Sequence, residues 1–343
     1  MKRTADTINY VNIGLTLVSC VAAYVFPFEL FLLSYAVLGP LHYLTEISWL
    51  HDRRYFVQPG PEKRAWQAQR FWLGLVLVTL AVMLYGLAAE KILKQTFSPA
   101  LEIGLFYGVF VSASLLVFLK NKAMSAALIS LTALALVVFS GSRYFGLIAF
   151  LLITIVHVFV FTAAFVLFGA LKSKSRSGTL SLAVFLLCAV SFFVYVPAAL
   201  GSTVGDYVRH SYGSFQTLNA ELIKLFHLGT GASLSEIYES TAGLTVMRLI
   251  AFAYTYHYLN WFSKTSIIKW HEVSKSRAAL IVGVWLSSVA VYAYSYDVGM
   301  IALYFLSVLH VMLEFPLNHQ TFAGIAKEAY ALARGAPKPV SSA

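Results

Sequence analysis

Long apolar stretches dominate this chain and constrain its fold more than any other feature. A helix needs about 20 mostly apolar residues to cross the hydrocarbon core of a bilayer. The stretches are helices, because unpaired backbone groups in lipid are too costly and no strand-like alternation is present. The sequence predicts about ten transmembrane helices, at roughly 9–28, 29–50, 70–89, 101–119, 123–141, 144–170, 178–200, 243–263, 277–296 and 298–317.

The composition supports a membrane protein and argues against a soluble one. Of the 343 residues, 59% are hydrophobic and only 12% are charged, and the mean hydropathy is +0.75. A soluble globule has about a quarter of its residues charged. We therefore expect an all-α fold with one polytopic membrane domain over residues 1–334, multi-pass in the cell inner membrane. Residues 335–343 are rich in Gly, Pro, Ser and Ala and are predicted to form a disordered tail.

The basic residues predict the orientation of the spans. If the N-terminus is cytoplasmic, 19 of the 25 Lys and Arg residues fall in cytoplasmic segments and six fall outside. Cytoplasmic loops carry the excess of Lys and Arg, so both termini are predicted to be cytoplasmic. The net charge of +10 then reflects orientation and contact with anionic lipid headgroups. Membrane lipids are the expected partners of these charges, and no nucleic acid is required to explain them.

The one long connection, 201–242, is predicted on the outer side. An apolar stripe indicates an amphipathic helix around 214–227. This helix fits either a lid at a lipid-side entrance or a segment packed on the outer face, and packed connections are the commoner arrangement. The stripe consists of Phe215, Leu218, Leu222, Ile223 and Phe226.

Four of the nine histidines lie well inside predicted spans, and all four spans run from the outside to the inside. They are His42, His157, His257 and His310. Each lies 12 to 14 residues from the outer end of its span, which at 1.5 Å per residue is a depth of about 18–21 Å. The other five, at span ends or in the outer loop, are ordinary solvated or headgroup-level residues: His51, His210, His227, His271 and His319.

Four imidazoles at one depth predict a metal site. A lone intramembrane histidine is commonly a core residue that hydrogen-bonds to a neighbouring helix. Four are harder to explain that way, because each buried ring is costly and intramembrane ionisable groups tend to face a common interior. Neutral imidazole is a standard ligand for Fe, Cu, Zn and Ni.

Nearby polar residues extend the predicted site. Glu46 lies four residues after His42 and Glu314 four after His310, each on the same helix face as its histidine. A carboxylate there can accept the second ring N–H of a ligating histidine. Asn260, three residues after His257, is a weaker candidate for the same role. The alternative for both carboxylates is snorkelling to the cytoplasmic interface.

Four stretches carry a resemblance to a known family: Gly39 to Glu46, Ile155 to Phe159, Tyr254 to His257, and Val308 to His319. In order, spacing and helical context they resemble the histidine motifs of the Brp/Blh family of bacterial membrane β-carotene 15,15′-dioxygenases. The resemblance implies a polytopic helical fold, an Fe²⁺ centre held by histidines, and cleavage of β-carotene to retinal with O₂. It also implies that an opsin receives the product.

The resemblance covers about a fifth of the chain and departs from the family pattern at several positions. Leu41 separates the motif proline from its histidine, and Tyr43 stands where a glycine is usual. Thr162 replaces an acidic residue, and Trp261 replaces a further histidine. These differences leave open a related oxygenase that acts on another lipid.

Two other classes of protein fit the same residues. One is a transporter or proton-coupled channel with an intramembrane His/Glu relay. Such proteins often have internal repeats and interrupted spans in matching halves. Here Gly39-Pro40 interrupts one span and no repeat is visible. The other is a non-catalytic membrane factor. Stoichiometric iron in the purified protein distinguishes the oxygenase from both.

Overall fold

The computed structural model describes six stretches of the chain, and all regular structure within them is helical. No strand occurs among these residues, in agreement with the predicted all-α fold. The predicted span 123–141 and the predicted tail 335–343 lie outside the described residues. The described residues are 2–56, 62–91, 93–95, 99–117, 143–197 and 204–334.

Helices account for the nine other predicted spans. In chain order these helices are α1 (Lys2–Val25), α2 (Pro27–Asp52), α3 (Glu62–Lys91), α4 (Pro99–Val117), α5 (Arg143–Ile153), α6 (Val156–Ser173), α7 (Arg176–Val194), α11 (Thr241–Ser263), α12 (Lys275–Tyr294) and α13 (Tyr296–Ala333). Three short helices lie between α7 and α11: α8 (Asp206–Ser211), α9 (Gln216–Leu225) and α10 (Leu234–Glu239). Together, α5 and α6 correspond to the predicted span 144–170. Single residues, Phe26 and Ser295, join α1 to α2 and α12 to α13, so each of these helix pairs is connected by a tight turn.

The last helix is longer than predicted. It contains 38 residues and continues past Pro316 to Ala333, well beyond the predicted limit of 317. Hydropathy alone does not find this extension, because the residues after Pro316 are more polar. Good helix formers and buried contacts at Asn318 and Thr321 keep the chain helical there.

Eight helices of the described part are long and apolar enough to cross a membrane: α1, α2, α3, α4, α6, α7, α12 and α13. Helix α11 is also long enough, with 23 residues, but it is less apolar because it carries Arg248, His257, Asn260 and several tyrosines. Eighteen of its residues are buried against the other helices. A helix enclosed by protein needs no apolar face toward lipid, so α11 forms the centre of the bundle.

Helices α2 and α11 run parallel. Their hydrogen bonds join Ser34 to Thr255 at 2.8 Å, then Tyr43 to Tyr258 at 3.2 Å. Further along, the Trp261 indole donates to Thr45 Oγ1 at 3.0 Å. Residue numbers rise together along both helices, which is possible only for parallel neighbours. Side chains that lie at the same depth in α2 and α11 are therefore neighbours.

Helices α6 and α13 are parallel in the same way. The His157 ring contacts that of His310, and further along Phe161 contacts Phe322. Helix α13 is also parallel to α2, because Tyr296 hydrogen-bonds to Leu32 O and Tyr43 stacks on His310. Four parallel helices thus surround one interior region.

Two π-helical segments occur in the helices that carry site residues. Ser34–Leu38 lies one turn before His42, and Val156–Phe161 contains His157. Such bulges arise where the regular hydrogen-bond ladder is interrupted, often at functional sites. In α2 the interruption is followed by Pro40, which has no N–H to donate. A Cβ at Gly39 would lie 2.9 Å from the Tyr43 hydroxyl, so a larger residue there would force that buried tyrosine to shift.

The segment 204–240 packs on one end of the bundle, here called the loop side. The predicted helix 214–227 is observed as the shorter helix α9, and Gly213–Phe215 forms a 3-10 turn before it. The middle of the predicted apolar stripe is buried, since Leu218, Leu222 and Ile223 are at most 2% exposed, whereas Phe226 at its end is 39% exposed. Burying each such side chain away from water contributes about 1.5–3 kcal/mol. Of the two predicted roles, the packed segment describes the observed contacts.

Candidate metal centre

The four intramembrane histidines come together in the interior of the bundle. His42 Nε2 lies 3.1 Å from His257 Nε2, and His157 Nε2 lies 3.1 Å from His310 Nε2. Neighbouring ring centroids are 4.7 to 5.4 Å apart around the group. All four side chains are at most 6% exposed. We call this group the histidine square. The convergence at one level predicted from the sequence is therefore observed.

The geometry of the histidine square suits one metal ion. Nitrogen ligands lie about 2.0–2.1 Å from such an ion, so two at right angles to each other are about 3 Å apart. The facing Nε2 pairs have this separation. When each ring carries its proton on Nδ1, both facing Nε2 atoms present a lone pair that a cation can accept. His42, His157 and His257 form one group with ligand atoms within 4.8 Å of one another.

Glu46 lies closer to the predicted metal position than the sequence indicated. Its Oε2 is 3.0 Å from His42 Nε2, the nitrogen that faces the other rings. The prediction that Glu46 would hold the outer N–H of His42 is therefore wrong. Helical side chains lean toward the N-terminus, which brings Glu46 back by one turn to the level of the rings. Glu46, His42 and His310 form a second group of possible ligands.

Glu314 contacts a histidine of another helix. Its Oε2 lies 3.1 Å from His157 Nδ1, on α6, although the direction does not suit a hydrogen bond. The predicted contact with His310, on its own helix, is not made. The Nδ1 atom of His310 is instead 3.3 Å from the carbonyl of Leu306, one turn earlier. Glu314 still contacts a site histidine on its outer side, but in a different pair from the predicted one.

Thr162, which the sequence spacing does not place in the site, takes the role expected of Asn260. Its hydroxyl lies 2.8 Å from His257 Nδ1. Asn260 makes no hydrogen bond to that ring, and its Oδ1 has no hydrogen-bond partner among the described residues. The sequence offered one signal for Thr162, since it occupies the position of a motif residue in the resembling family. A threonine on a neighbouring helix is otherwise indistinguishable from a packing residue.

Aromatic side chains fix the orientation of the imidazoles. The Tyr43 ring stacks on His310 with centroids 4.4 Å apart and an angle of 22°. Trp261 lies edge-on to His42 at 5.5 Å and is held by its bond to Thr45. These contacts restrict ring rotation, so the Nε2 atoms stay directed at one another. Preorganisation of this kind raises the affinity for a metal ion.

A cavity of about 190 Å³ lies on the loop side of the histidine square, and we call it the tyrosine cavity. His157 and His310 form part of its wall, and the segment 204–240 closes it with Phe215 and Leu218. Five tyrosines dominate the lining: Tyr35, Tyr43, Tyr254, Tyr258 and Tyr304. Its aromatic lining is suited to an apolar ligand next to the histidines.

A second cavity, of about 230 Å³, lies on the opposite side and is called the carboxylate cavity. His42 and His257 form part of its wall. Its polar lining consists of Glu46, Glu314, Asn260, Lys264, Thr162 and Thr321. Imidazole nitrogens with a carboxylate oxygen of Glu46 beside them are donors that iron and zinc take in proteins, so the residues present fit a metal ion.

The five histidines predicted to be ordinary lie outside the histidine square. His210 is largely exposed beside Asp297, and His51 lies beside Asp52 at the end of α2. His319 is partly buried, and its Nε2 lies 3.0 Å from the carbonyl of Phe110. His227 is exposed in the segment 204–240, and His271 is exposed between α11 and α12. None of them contacts the four clustered rings.

Comparison with known proteins gives no assignment. No family model, curated protein or solved structure matches the chain.

Proposed function

We propose that this chain is a membrane-embedded non-haem iron oxygenase that cleaves a carotenoid with O₂. The observation that supports it most is the set of four buried imidazoles whose Nε2 atoms face one another between two cavities. The family resemblance of the histidine motifs supports Fe²⁺ as the metal and β-carotene to retinal as the reaction. A related apolar polyene is the alternative substrate, because Tyr43 and Trp261 replace family residues beside the rings.

The side chains have distinct roles in this proposal. The histidine square and Glu46 hold the metal, while Thr162 and Glu314 position two of the rings. Bound Fe²⁺ supplies activation of O₂ next to the polyene. The tyrosine cavity holds part of the polyene beside His157 and His310, and the packed segment 204–240 excludes water from that side. Holding both reactants in place contributes much of the rate acceleration.

We further propose a setting in the cell inner membrane, with ten spans and both termini cytoplasmic. The tyrosine cavity then lies on the outer side of the histidine square and the carboxylate cavity on its cytoplasmic side. Membrane lipids surround the bundle, and an opsin is the proposed recipient of retinal. Reporter fusions at the C-terminus test the orientation, and an outside location of that terminus would contradict it.

The test of the metal site is the iron content of protein purified in detergent. We expect stoichiometric iron in the wild type and loss of most of it in each variant that replaces a histidine of the square with alanine. His210→Ala and His227→Ala are matched controls, because these exposed rings lie far from the site, and should keep their iron. Iron-free wild-type protein after reconstitution would contradict the proposal.

The test of the substrate is expression in a host that produces β-carotene. Loss of colour with accumulation of retinal is expected, and His257→Ala should abolish both. Retained iron with unchanged β-carotene would reject this substrate and keep the oxygenase class.

A second candidate, a proton-coupled transporter, is favoured by the two cavities on opposite sides of the buried His/Glu layer. Absence of both iron and product would leave that candidate ahead.

A further inference from the structure

The tyrosine cavity carries more hydroxyl groups than a hydrocarbon ligand requires. Besides its five tyrosines, it is lined by the hydroxyl side chains of Thr154, Ser214 and Ser307. Leucine or phenylalanine would fill the same space without adding polar atoms. Each buried hydroxyl needs a partner, because an unsatisfied one is costly in an apolar region. A hydroxyl of this lining that has no partner within the protein is therefore available to a ligand.

Some of these hydroxyls bond within the protein. Tyr43 and Tyr258 bond to each other at 3.2 Å, and the Thr154 hydroxyl donates to the carbonyl of Phe150 at 2.8 Å. Tyr254 and Tyr304 differ from them. Within the described part of the chain neither has a hydrogen-bond partner, although both line the cavity and the Tyr254 side chain is only 6% exposed.

The positions of the two tyrosines place them beside the histidine square on its loop side. Tyr254 precedes His257 by three residues, so it lies on the same face of α11, about 4.5 Å along the axis. Tyr304 precedes His310 by six residues on α13, about 9 Å along the axis. A ligand that reaches the histidines from this cavity passes both side chains.

The size of the cavity limits what it holds. Its volume of about 190 Å³ is below the roughly 300–1,000 Å³ of pockets that enclose a whole ligand. It therefore accommodates one end of a long molecule, whose remainder lies beyond it. The end group is the part of the ligand that meets Tyr254 and Tyr304.

We propose that Tyr254 and Tyr304 bind an oxygen atom on the end group of the substrate. The preferred substrate is then a polyene with a hydroxylated or oxo-substituted end group, and the unsubstituted hydrocarbon is bound more weakly. This inference rests on the proposed function and makes its substrate class more specific. A hydroxyl or carbonyl oxygen accepts from the phenol groups, whereas a hydrocarbon leaves them without partners.

The experiment compares β-carotene with its ring-hydroxylated counterpart, which has the same carbon skeleton. Equilibrium binding to metal-free protein in detergent is followed by the change in polyene absorbance, and turnover is measured separately on iron-loaded protein. The variants are Tyr254→Phe, Tyr304→Phe and the double variant, which remove only hydroxyl oxygens. Tyr294→Phe is the matched control, because that ring is 86% exposed on α12.

We expect the wild type to bind the hydroxylated polyene about tenfold more tightly, as one or two hydrogen bonds allow. The preference should fall in each single variant and disappear in the double variant, with Tyr294→Phe unchanged. Equal binding of both polyenes, binding of neither, or a preference that survives the double variant would overturn the inference. Iron content and cleavage of either polyene judge the proposed function independently of that ratio.

Discussion

Helices α11 and α12 are neighbours in the sequence and similar in length, but they face different surroundings. Eighteen residues of α11 are buried, including His257. In α12 only Ile281, Ser288 and Tyr292 are buried, and no side chain of α12 belongs to the histidine square. Yet α12 is long and apolar enough to count as a membrane span, whereas α11 is not apolar enough. In this bundle hydropathy identifies the helix that faces lipid, while the more polar helix marks the interior where the candidate site lies.

Small residues explain how α11 fits at the centre. Ala251 and Ala253 are completely buried, so neighbouring backbones can approach closely at these positions. Its polar residues bond to other helices, as Trp261 does with Thr45 of α2. Helix α12 has no comparable requirement, because lipid chains adapt to any apolar surface. Substitutions of the same kind should therefore have very different effects in the two helices.

The largest difference is expected for added volume. Ala253→Leu places extra methyl groups where no space is left, and overpacking typically costs about 1–3 kcal/mol of stability. Ala290→Leu in α12 is the matched control, since Ala290 is exposed on the lipid-facing side. Thermal unfolding in detergent should show a clear drop in melting temperature for the first variant only. Equal shifts would mean that α11 is not the tightly packed centre.

A smaller effect is expected from the partner that orients His257. Thr162→Val keeps the shape of the side chain but removes the oxygen next to His257 Nδ1. Loss of such an outer contact typically lowers metal affinity by about 10–100-fold. Thr179→Val is the control, because that exposed hydroxyl bonds only to the carbonyl of Ser175. Competition with a chelator measures the affinity, and identical values for both variants would exclude Thr162 as a positioning residue.

The sequence was sufficient to predict the depth of the histidines but not their partners. Rise per residue along a helix is fixed, so counting from span ends placed His42, His157, His257 and His310 at one level. Partner choice depends on how each helix is rotated about its axis, which tertiary packing decides. The π-helical segment around His157 also shifts the face that a regular helix would present. That is why Glu314 meets His157 and not His310.

The direction of side chains accounts for the remaining error. Sequence spacing correctly places Glu46 on the same face as His42, but it predicts contact with the wrong nitrogen of that ring. Because helical side chains lean toward the N-terminus, a carboxylate four residues later reaches back to the histidine's own level. The sequence predicts too short a last helix for a different reason. Hydropathy ends where the lipid ends, whereas the helix continues to Ala333.

The smallest effect is expected for the contact through which α12 supports α2. The Trp285 indole donates a 2.8 Å hydrogen bond to the carbonyl of Val37, in the π-helical segment one turn before His42. Trp285→Phe should lower stability by about 1 kcal/mol, the usual net value of one hydrogen bond. Trp66→Phe, at an exposed position, is the control. Iron affinity should change less than in Thr162→Val, because Trp285 touches none of the four rings. A loss of iron as large as in that variant would place α12 within the site and remove the contrast with α11.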